Sequence, residues 1–320
     1  MNDTNMISKQ IEEYISYKQA LGFQLIIESQ ELRRFAKYTR ELDFNGSLTA
    51  DLAIQWASLN SNYSRWYMSR RLETVYTFAK YAALIDYTTQ IPPKGIYGKC
   101  HGRTTPFIFT EKEIEHLMIK ARSLQSPDKL RATTVEYAIG LIWTTGLRPS
   151  ELCHLTINDV NFRDGLIYVR KTKFNKKRVL PIHNTALTAL KEYSKIRDTL
   201  CFPSTLESFF RTTSGRELKL RDLEYAMQLL RTSVLNQRKR KWAGRKPRLY
   251  DIRHSFVCNV IIRWLQEGRD VNHEMVYLSA YLGHVKPSDT YWYLTGVPEL
   301  MNVASKAFEE FFEASDINVK

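Results

Sequence analysis

Two arginines in separate stretches of this chain have surroundings that suit a bound phosphate. Arg148 stands in "TTGLRPSELCHL" directly before Pro149, a residue that suits the first turn of a helix. The N-terminus of a helix favours an anion, and a planar guanidinium can hold two phosphate oxygens. Pairing of Arg148 with Glu151 or another nearby acid is the plain structural alternative.

The second arginine, Arg253, stands in "RLYDIRHSF" beside Ile252 and Phe256, and the pattern predicts a helix that buries part of its side chain. A half-buried arginine needs an anionic partner, which is either a carboxylate or a bound phosphate. His254 would point elsewhere on the same helix, and we interpret it as a structural histidine.

Two further stretches carry groups for acid–base or nucleophilic chemistry. Lys173 lies close to the turn of a predicted hairpin, "VRKTKFNKKRVLP", where a lysine can serve as a general acid, although most lysines at such tips only solubilise. In "LGHVKPSDTYWYLTGVPEL", Gly283 is expected to end one helix, and Ser288 and Asp289 are expected to cap the next.

That last stretch also holds two tyrosines, Tyr291 and Tyr293. Residues two apart on a helix point about 200° apart, so both tyrosines cannot face the same phosphate. Helical geometry alone leaves the choice between them open.

Together these groups indicate a reaction at a phosphodiester that needs no metal, nucleotide or other cofactor. Two arginines can stabilise the charge that grows at the phosphorus, while a tyrosine attacks it and forms a phosphotyrosine. A free tyrosine has a pKa near 10 and is ionised only to about a thousandth at neutral pH, a cost that cationic neighbours reduce. A lysine can protonate the departing sugar oxygen.

Composition favours a polyanionic partner. The 320 residues carry a formal net charge of +13, and the sequence pI is about 9.5. The four cysteines are scattered without a CxxC pair, which argues against a zinc site and for a reduced, intracellular chain. The polar start lacks an apolar signal core and no apolar run could span a bilayer, so we expect no membrane partner and a cytoplasmic location.

Hydrophobic periodicity predicts a mainly α protein with a small β-sheet (α+β) in two domains. We expect a helical bundle over residues 1–97, a basic linker over 98–107 and a mixed domain over 108–320, which opens with a capping box of Thr110 and Glu113. A basic linker between two basic domains suits a clamp around DNA, and an ordinary solvated loop explains it equally well.

The order of these motifs resembles that of the tyrosine recombinases, the phage integrase family of DNA strand-exchange enzymes. The family shows a "TGLRxSEL" box, a hairpin lysine, an "HxxR" box, an "LGH" box and a tyrosine shortly after it. Matching positions occur in that order across residues 144–293. The helical first third is similar in size and character to the family's SAM-like DNA-binding domain, so the resemblance covers nearly the whole chain.

The resemblance implies a role for each matched residue. Arg148 and Arg253 would clamp the phosphate, and Lys173 would be the general acid. His284 would support the phosphate by hydrogen bonding, and Tyr293, nine residues after it, would be the nucleophile.

Two further positions have less settled roles. Glu151 matches a family acid that would hold Arg148 or its helix. Tyr250 stands where the family usually has the first histidine of "HxxR". A phenol can donate a hydrogen bond to phosphate but cannot accept a proton near neutral pH, so we expect a phosphate ligand and a poor base.

The resemblance further implies a site-specific recombinase that cuts and rejoins double-stranded DNA through a 3′-phosphotyrosine, without metal or ATP. The family usually works as a homotetramer on two duplexes in the prokaryotic nucleoid, and accessory DNA-bending or directionality proteins can assist it. An apolar stripe in "SKAFEEFFEAS" (Phe308, Phe311 and Phe312) would pack on a neighbouring subunit or on its own domain.

Three other functions compete with this one. A type IB topoisomerase shares the chemistry but relaxes supercoils alone, and a DNA-binding protein on the same scaffold would lack one or more of the clamp residues. A metal-dependent transposase or nuclease needs clustered carboxylates, whereas the motif-bearing stretches here are basic. The sequences of the hairpin and of the last motif are more similar to those of mobile-element integrases. We expect no additional arm-binding domain before the first bundle.

Overall fold

A computed structural model describes residues 5–98, 104–125, 130–170, 177–201, 207–236, 244–297 and 300–301. The chain divides into two compact units at the junction of Thr104 and Thr105. Among the described residues, no helix combines the length and the apolar character needed to cross a bilayer.

The first unit is the predicted helical bundle. Its helices are α1 (Met6–Ala20), α2 (Ile26–Glu41), α3 (Ala50–Ala57) and α4 (Arg65–Ala82). Thr49 caps α3 by accepting a hydrogen bond from the backbone N–H of Leu52 at 3.2 Å, as its place before the first apolar residues predicts. The apolar faces of the four helices meet around Phe35, Trp56 and Phe78.

The second unit contains further helices and a small sheet. In chain order these are α5 (Glu111–Ala121), α6 (Leu130–Thr145), α7 (Pro149–Cys153), a 3₁₀ turn (Ile157–Asp159), β1 (Val160–Asn161), β2 (Leu166–Val169), β3 (Arg178–Pro181), α8 (Asn184–Leu200), α9 (Leu220–Leu235), α10 (Leu249–Gln266), α11 (Val271–Leu282) and α12 (Ser288–Gly296). The mainly α fold with a small sheet is therefore confirmed.

Helix α6 is the centre of this unit. It packs against α5, α8 and α10, and it is buried on several sides because its sequence is mostly apolar and its apolar residues are not confined to one face. The predicted capping box holds the start of α5: Thr110 Oγ1 accepts from the N–H of Glu113 at 3.3 Å, and Glu113 accepts from the N–H of Thr110 at 2.9 Å.

The three strands form an antiparallel sheet in the order β1–β2–β3, with Val160 opposite Ile167 and Ile167 opposite Leu180. The predicted hairpin is thus confirmed as β2 and β3. Its turn, which carries Lys173, lies outside the described residues.

A second apolar cluster holds the end of the described chain in place. Helices α10, α11 and α12 pack around Val257, Ile261, Met275 and Leu278, and the ring of Tyr293 is part of this cluster. The last predicted feature, the stripe of Phe308, Phe311 and Phe312, lies outside the described residues.

Candidate active site

Arg148 lies at the junction between α6 and α7. It is the N-cap residue of α7, and Pro149 is the first residue of that helix, as predicted. Its Nη1 donates to Glu151 Oε1 at 2.8 Å, and its Nη2 donates to the carbonyl of Gly283 at 3.2 Å. The second bond ties α7 to the end of α11, 135 residues further along the chain.

Glu151 holds Arg148 together with a second arginine, Arg178. The side chain of Glu151 is 1% exposed, and Arg178 donates to both of its oxygens, at 3.0 and 2.7 Å. Burial alone would raise the pKa of Glu151, but the hydrogen bonds and charges of Arg178 and Arg148 outweigh it and lower the pKa to about 2. Glu151 is therefore a carboxylate at any pH at which the protein works.

Arg178 is a site residue that sequence reasoning missed. It begins β3, where side chains alternate between the two faces, and it shares a face with the buried Leu180. The alternation in "RVLP" therefore predicts that Arg178 points inward on the same face as Leu180. The lysines before it were expected to point to solvent.

Arg253 lies on α10 and is buried, with 4% of its surface exposed. Its Nη1 donates to the carbonyl of Gly146 at 2.6 Å, and its Nη2 donates to the carbonyl of Leu282 at 2.8 Å. The predicted burial of part of this side chain is confirmed, and it extends to nearly all of the residue. Among the described residues, however, its hydrogen bonds go to carbonyls and a histidine, and none goes to a carboxylate.

The electrostatics of this cluster favour an added anion. Burial, followed by the neighbouring charge of Arg148, lowers the pKa of Arg253 to about 9. Three arginines, Arg148, Arg178 and Arg253, thus surround the one carboxylate of Glu151, and a bound phosphate would neutralise the surplus charge.

His284 bridges Arg253 and α12. Its Nε2 lies 3.2 Å from Nη2 of Arg253, and its Nδ1 lies 2.7 Å from Oγ1 of the fully buried Thr290. The left-handed Gly283, with φ of 65°, ends α11 directly before it, as predicted. The imidazole is therefore held with one nitrogen toward the arginines.

Tyr293 lies on α12 with only 3% of its surface exposed, and its hydroxyl is 2.6 Å from Nδ1 of His254. It is also close enough to Arg253 for its charged form to raise the pKa of that arginine. The Tyr291 hydroxyl points away and donates to the carbonyl of Asn272 at 3.1 Å. The two hydroxyls therefore point to different parts of the second unit, as the angle of about 200° between the two positions predicts.

Two expectations about this region are wrong. His254 does not point away from the site, because α10 is packed on more than one side and its neighbouring residues Arg253 and His254 both face protein. Ser288 does not cap α12, because Pro287 already has helical dihedrals and takes the cap position, with Ser288 as the first helical residue. Asp289 lies in the first turn.

The structure brings together Arg148, Glu151, Arg253 and His284 by direct contacts or through Gly283, and places Tyr293 beside them through His254. Tyr250 is partly buried in the first turn of α10. No hydrogen bond between described residues joins it to this cluster. Lys173 lies outside the described residues.

An arginine cluster with a buried carboxylate, a histidine and an adjacent tyrosine, held in a helical unit with one hairpin, matches a known class of proteins. The model of the phage integrase family matches residues 108–298. The chain therefore belongs to the phage integrase family.

Individual relatives extend the similarity beyond the second unit. A putative integrase/recombinase, y4rB of Sinorhizobium fredii, is 33% identical over 95% of this chain and 97% of its own length. The tyrosine recombinase XerA of Pyrococcus furiosus is 27% identical over 92% of this chain and 91% of its own. The Tn1549 transposon integrase, solved with circular intermediate DNA, has the same fold, with a TM-score of 0.66 and 17% identity over 95% of this chain and 98% of its own.

Proposed function

We propose that this chain is a site-specific DNA recombinase that cuts and rejoins DNA through a covalent 3′-phosphotyrosine at Tyr293. The observation that carries the proposal is the buried arginine cluster, in which Arg148 and Arg253 both reach the Leu282–Gly283 backbone beside His284. Its surplus positive charge and the adjacent Tyr293 hydroxyl are what attack on a phosphodiester requires.

In the proposed reaction, Arg148 and Arg253 hold the two non-bridging oxygens of the phosphate, and Nε2 of His284 supports one of them. The Tyr293 oxygen forms a bond to phosphorus, and the bond from phosphorus to the 5′ sugar oxygen breaks. The departing oxygen takes a proton, for which Lys173 on the hairpin is the proposed donor. The phosphotyrosine keeps the energy of the broken bond, so a 5′-hydroxyl can reverse the reaction without a nucleotide or metal.

Two residues have supporting roles in this proposal. Glu151 holds Arg148 and Arg178 in a fixed geometry, which prepares the clamp before DNA arrives. Tyr250, one of the first residues of α10, would donate a hydrogen bond to a phosphate oxygen rather than accept a proton.

We further propose that residues 1–97 and a basic linker over 98–107 grip the duplex together with the catalytic domain over 108–320. The formal net charge of +13 supports binding to a polyanion. A homotetramer on two duplexes, joined by the stripe of Phe308, Phe311 and Phe312, completes the proposal.

The test is a nicked suicide substrate made from the ends of the DNA element that encodes the chain. Wild-type protein should form a covalent protein–DNA adduct, and Tyr293→Phe should form none. Tyr291→Phe should behave as wild type, because the Tyr291 hydroxyl donates to the carbonyl of Asn272. A chelator should not change the yield. An adduct that survives Tyr293→Phe would refute the assignment, and relaxation of any supercoiled plasmid without strand exchange would favour a topoisomerase.

A further inference from the structure

The contact between His254 and Tyr293 joins two residues 39 positions apart on α10 and α12. The distance from His254 Nδ1 to the Tyr293 hydroxyl oxygen is 2.6 Å, which is a short hydrogen bond. A neutral imidazole with its proton on Nε2 accepts at Nδ1, and a phenol hydroxyl is the matching donor. We propose that His254 is a catalytic residue that accepts the proton of Tyr293 as its oxygen attacks the phosphate, a role that rests on the proposed function.

Burial of this pair keeps bulk water away from the Tyr293 hydroxyl. Tyr293 is 3% exposed, and His254 is itself partly buried against the rings of Trp292 and Tyr293. Bulk water therefore has little access to the hydroxyl, and its proton needs an acceptor within the protein. An ordinary tyrosine, with a pKa near 10, is ionised only to about a thousandth at neutral pH, so attack without an acceptor would be slow.

The other groups near this pair leave His254 as the best placed acceptor. Both nitrogens of His284 already have partners, since its Nε2 lies 3.2 Å from Nη2 of Arg253 and its Nδ1 lies 2.7 Å from Oγ1 of Thr290. Tyr250 lies one helical turn before His254, on the same face of α10, and a phenol does not accept protons near neutral pH. An imidazole has an ordinary pKa of about 6.5 and is mostly neutral at pH 7 and above.

The neighbouring residues carry charges of both signs. Arg253 directly precedes His254 on α10, and Arg148, Arg178 and Glu151 belong to the same electrostatic cluster as Arg253. Asp251 lies three residues before His254 and accepts a hydrogen bond from Arg245 at 3.1 Å. Once Tyr293 is bonded to phosphorus, the proton rests on an imidazole that faces a newly added phosphate charge.

The protons balance in both directions. As the Tyr293 oxygen bonds to phosphorus, its proton passes to Nδ1 of His254, and the 5′ sugar oxygen leaves with a proton from the proposed donor Lys173. In religation the 5′-hydroxyl gives its proton back to Lys173 and attacks phosphorus. The tyrosine oxygen then leaves with the proton that His254 has held.

The test uses the full-length chain and compares single-turnover rates of adduct formation on the suicide substrate. His254→Asn keeps an oxygen close to the position of Nδ1 but removes the basic nitrogen, and the rate should fall by about a hundredfold while DNA binding by gel shift is unchanged. The matched control is His273→Asn, because His273 is exposed on α11 against Tyr277 and should leave the rate at the wild-type value.

A second measurement separates proton transfer from a structural role. Site-specific fluorotyrosine at position 293 lowers the pKa of the hydroxyl, and it should restore the rate of His254→Asn by about tenfold without accelerating wild type. His254→Gln replaces His254→Asn if the latter does not fold. A variant that keeps the wild-type rate, or one that slows and gains nothing from fluorotyrosine, would overturn the inference. If wild type itself forms no adduct, the proposed function fails instead.

Discussion

Replacing Glu151 by Gln should destabilise the second unit by about 3 kcal/mol at pH 7. The carboxylate is buried and receives hydrogen bonds from Arg148 and Arg178 at 2.7 to 3.0 Å. These partners lower its pKa from the ordinary 4.5 to about 2. A shift of one pKa unit corresponds to a free energy of about 1.4 kcal/mol. Glutamine keeps the shape but leaves two buried guanidinium groups without their counter-charge, which costs a similar amount, about 3–5 kcal/mol.

The sign of the pH dependence follows from the direction of that shift. The pKa of Glu151 is lower in the folded chain than in the unfolded chain, so its charge stabilises the fold above pH 4.5. That contribution is lost as the pH falls from 4.5 toward about 2. The difference between wild type and Glu151→Gln should therefore be constant from pH 7 to about pH 5 and shrink below it.

The assay is urea unfolding followed by circular dichroism, combined with amide hydrogen exchange of α6 and α7 to assign the change to the second unit. Glu267→Gln is the matched control, because Glu267 faces Arg269 at 3.7 Å with both side chains about half exposed. Such a surface pair contributes about 0–1 kcal/mol to the free energy of unfolding, so Glu267→Gln should change it by no more than that. The reasoning would be refuted if the two variants lost the same stability, or if the loss from Glu151→Gln did not change with pH.

Two further predictions concern the backbone and the histidine of the site. Gly146→Ala should lower the free energy of unfolding by about 3 kcal/mol or more, because Gly146 has φ of +61° and an added Cβ would lie 2.4 Å from the Phe256 ring. Gly268 has a similar φ of +67° but no atom within 4 Å of an added Cβ, so Gly268→Ala should lower it by about 1 kcal/mol in the same urea assay. Equal losses would contradict the clash. Thr290→Val should slow adduct formation by about fivefold without loss of DNA binding, because it removes the hydrogen bond of about 1 kcal/mol that orients His284. Thr290→Ser should retain the wild-type rate. A wild-type rate in Thr290→Val would show that the bond does not position the imidazole.

Local features of the second unit could be predicted because short-range chemistry decides them. The capping box of Thr110 and Glu113 needs only residues three apart, and Pro149 needs only its own fixed φ to favour the start of α7. The hairpin follows from alternation on both sides of a polar turn. The predicted cap of α12 at Ser288 was wrong for a local reason too, because Pro287 already adopts helical dihedrals one residue earlier.

The assembly of the site depends on contacts that no local pattern contains. Arg253 reaches the carbonyl of Gly146 across 107 residues, and Arg148 reaches that of Gly283 across 135. Before the structure, these residues could be grouped only through the chemistry they could share and through the resemblance to a family. Arg178 was not found by that route, because it matches no motif that was compared, although strand alternation turns it toward Glu151.

His254 shows why a single amphipathic face is a poor assumption for a central helix. Consecutive residues on a helix point about 100° apart, so an inward Arg253 predicts that His254 points away from the site. Helix α10 packs against α6, α9 and α11, and its residues also enter the apolar cluster that holds α12. The buried part of its circumference therefore covers more than about 100°, and two consecutive residues can both be buried. Arg253 therefore reaches the α6–α7 junction while His254 reaches Tyr293, and one helix places both the phosphate clamp and the group beside the nucleophile.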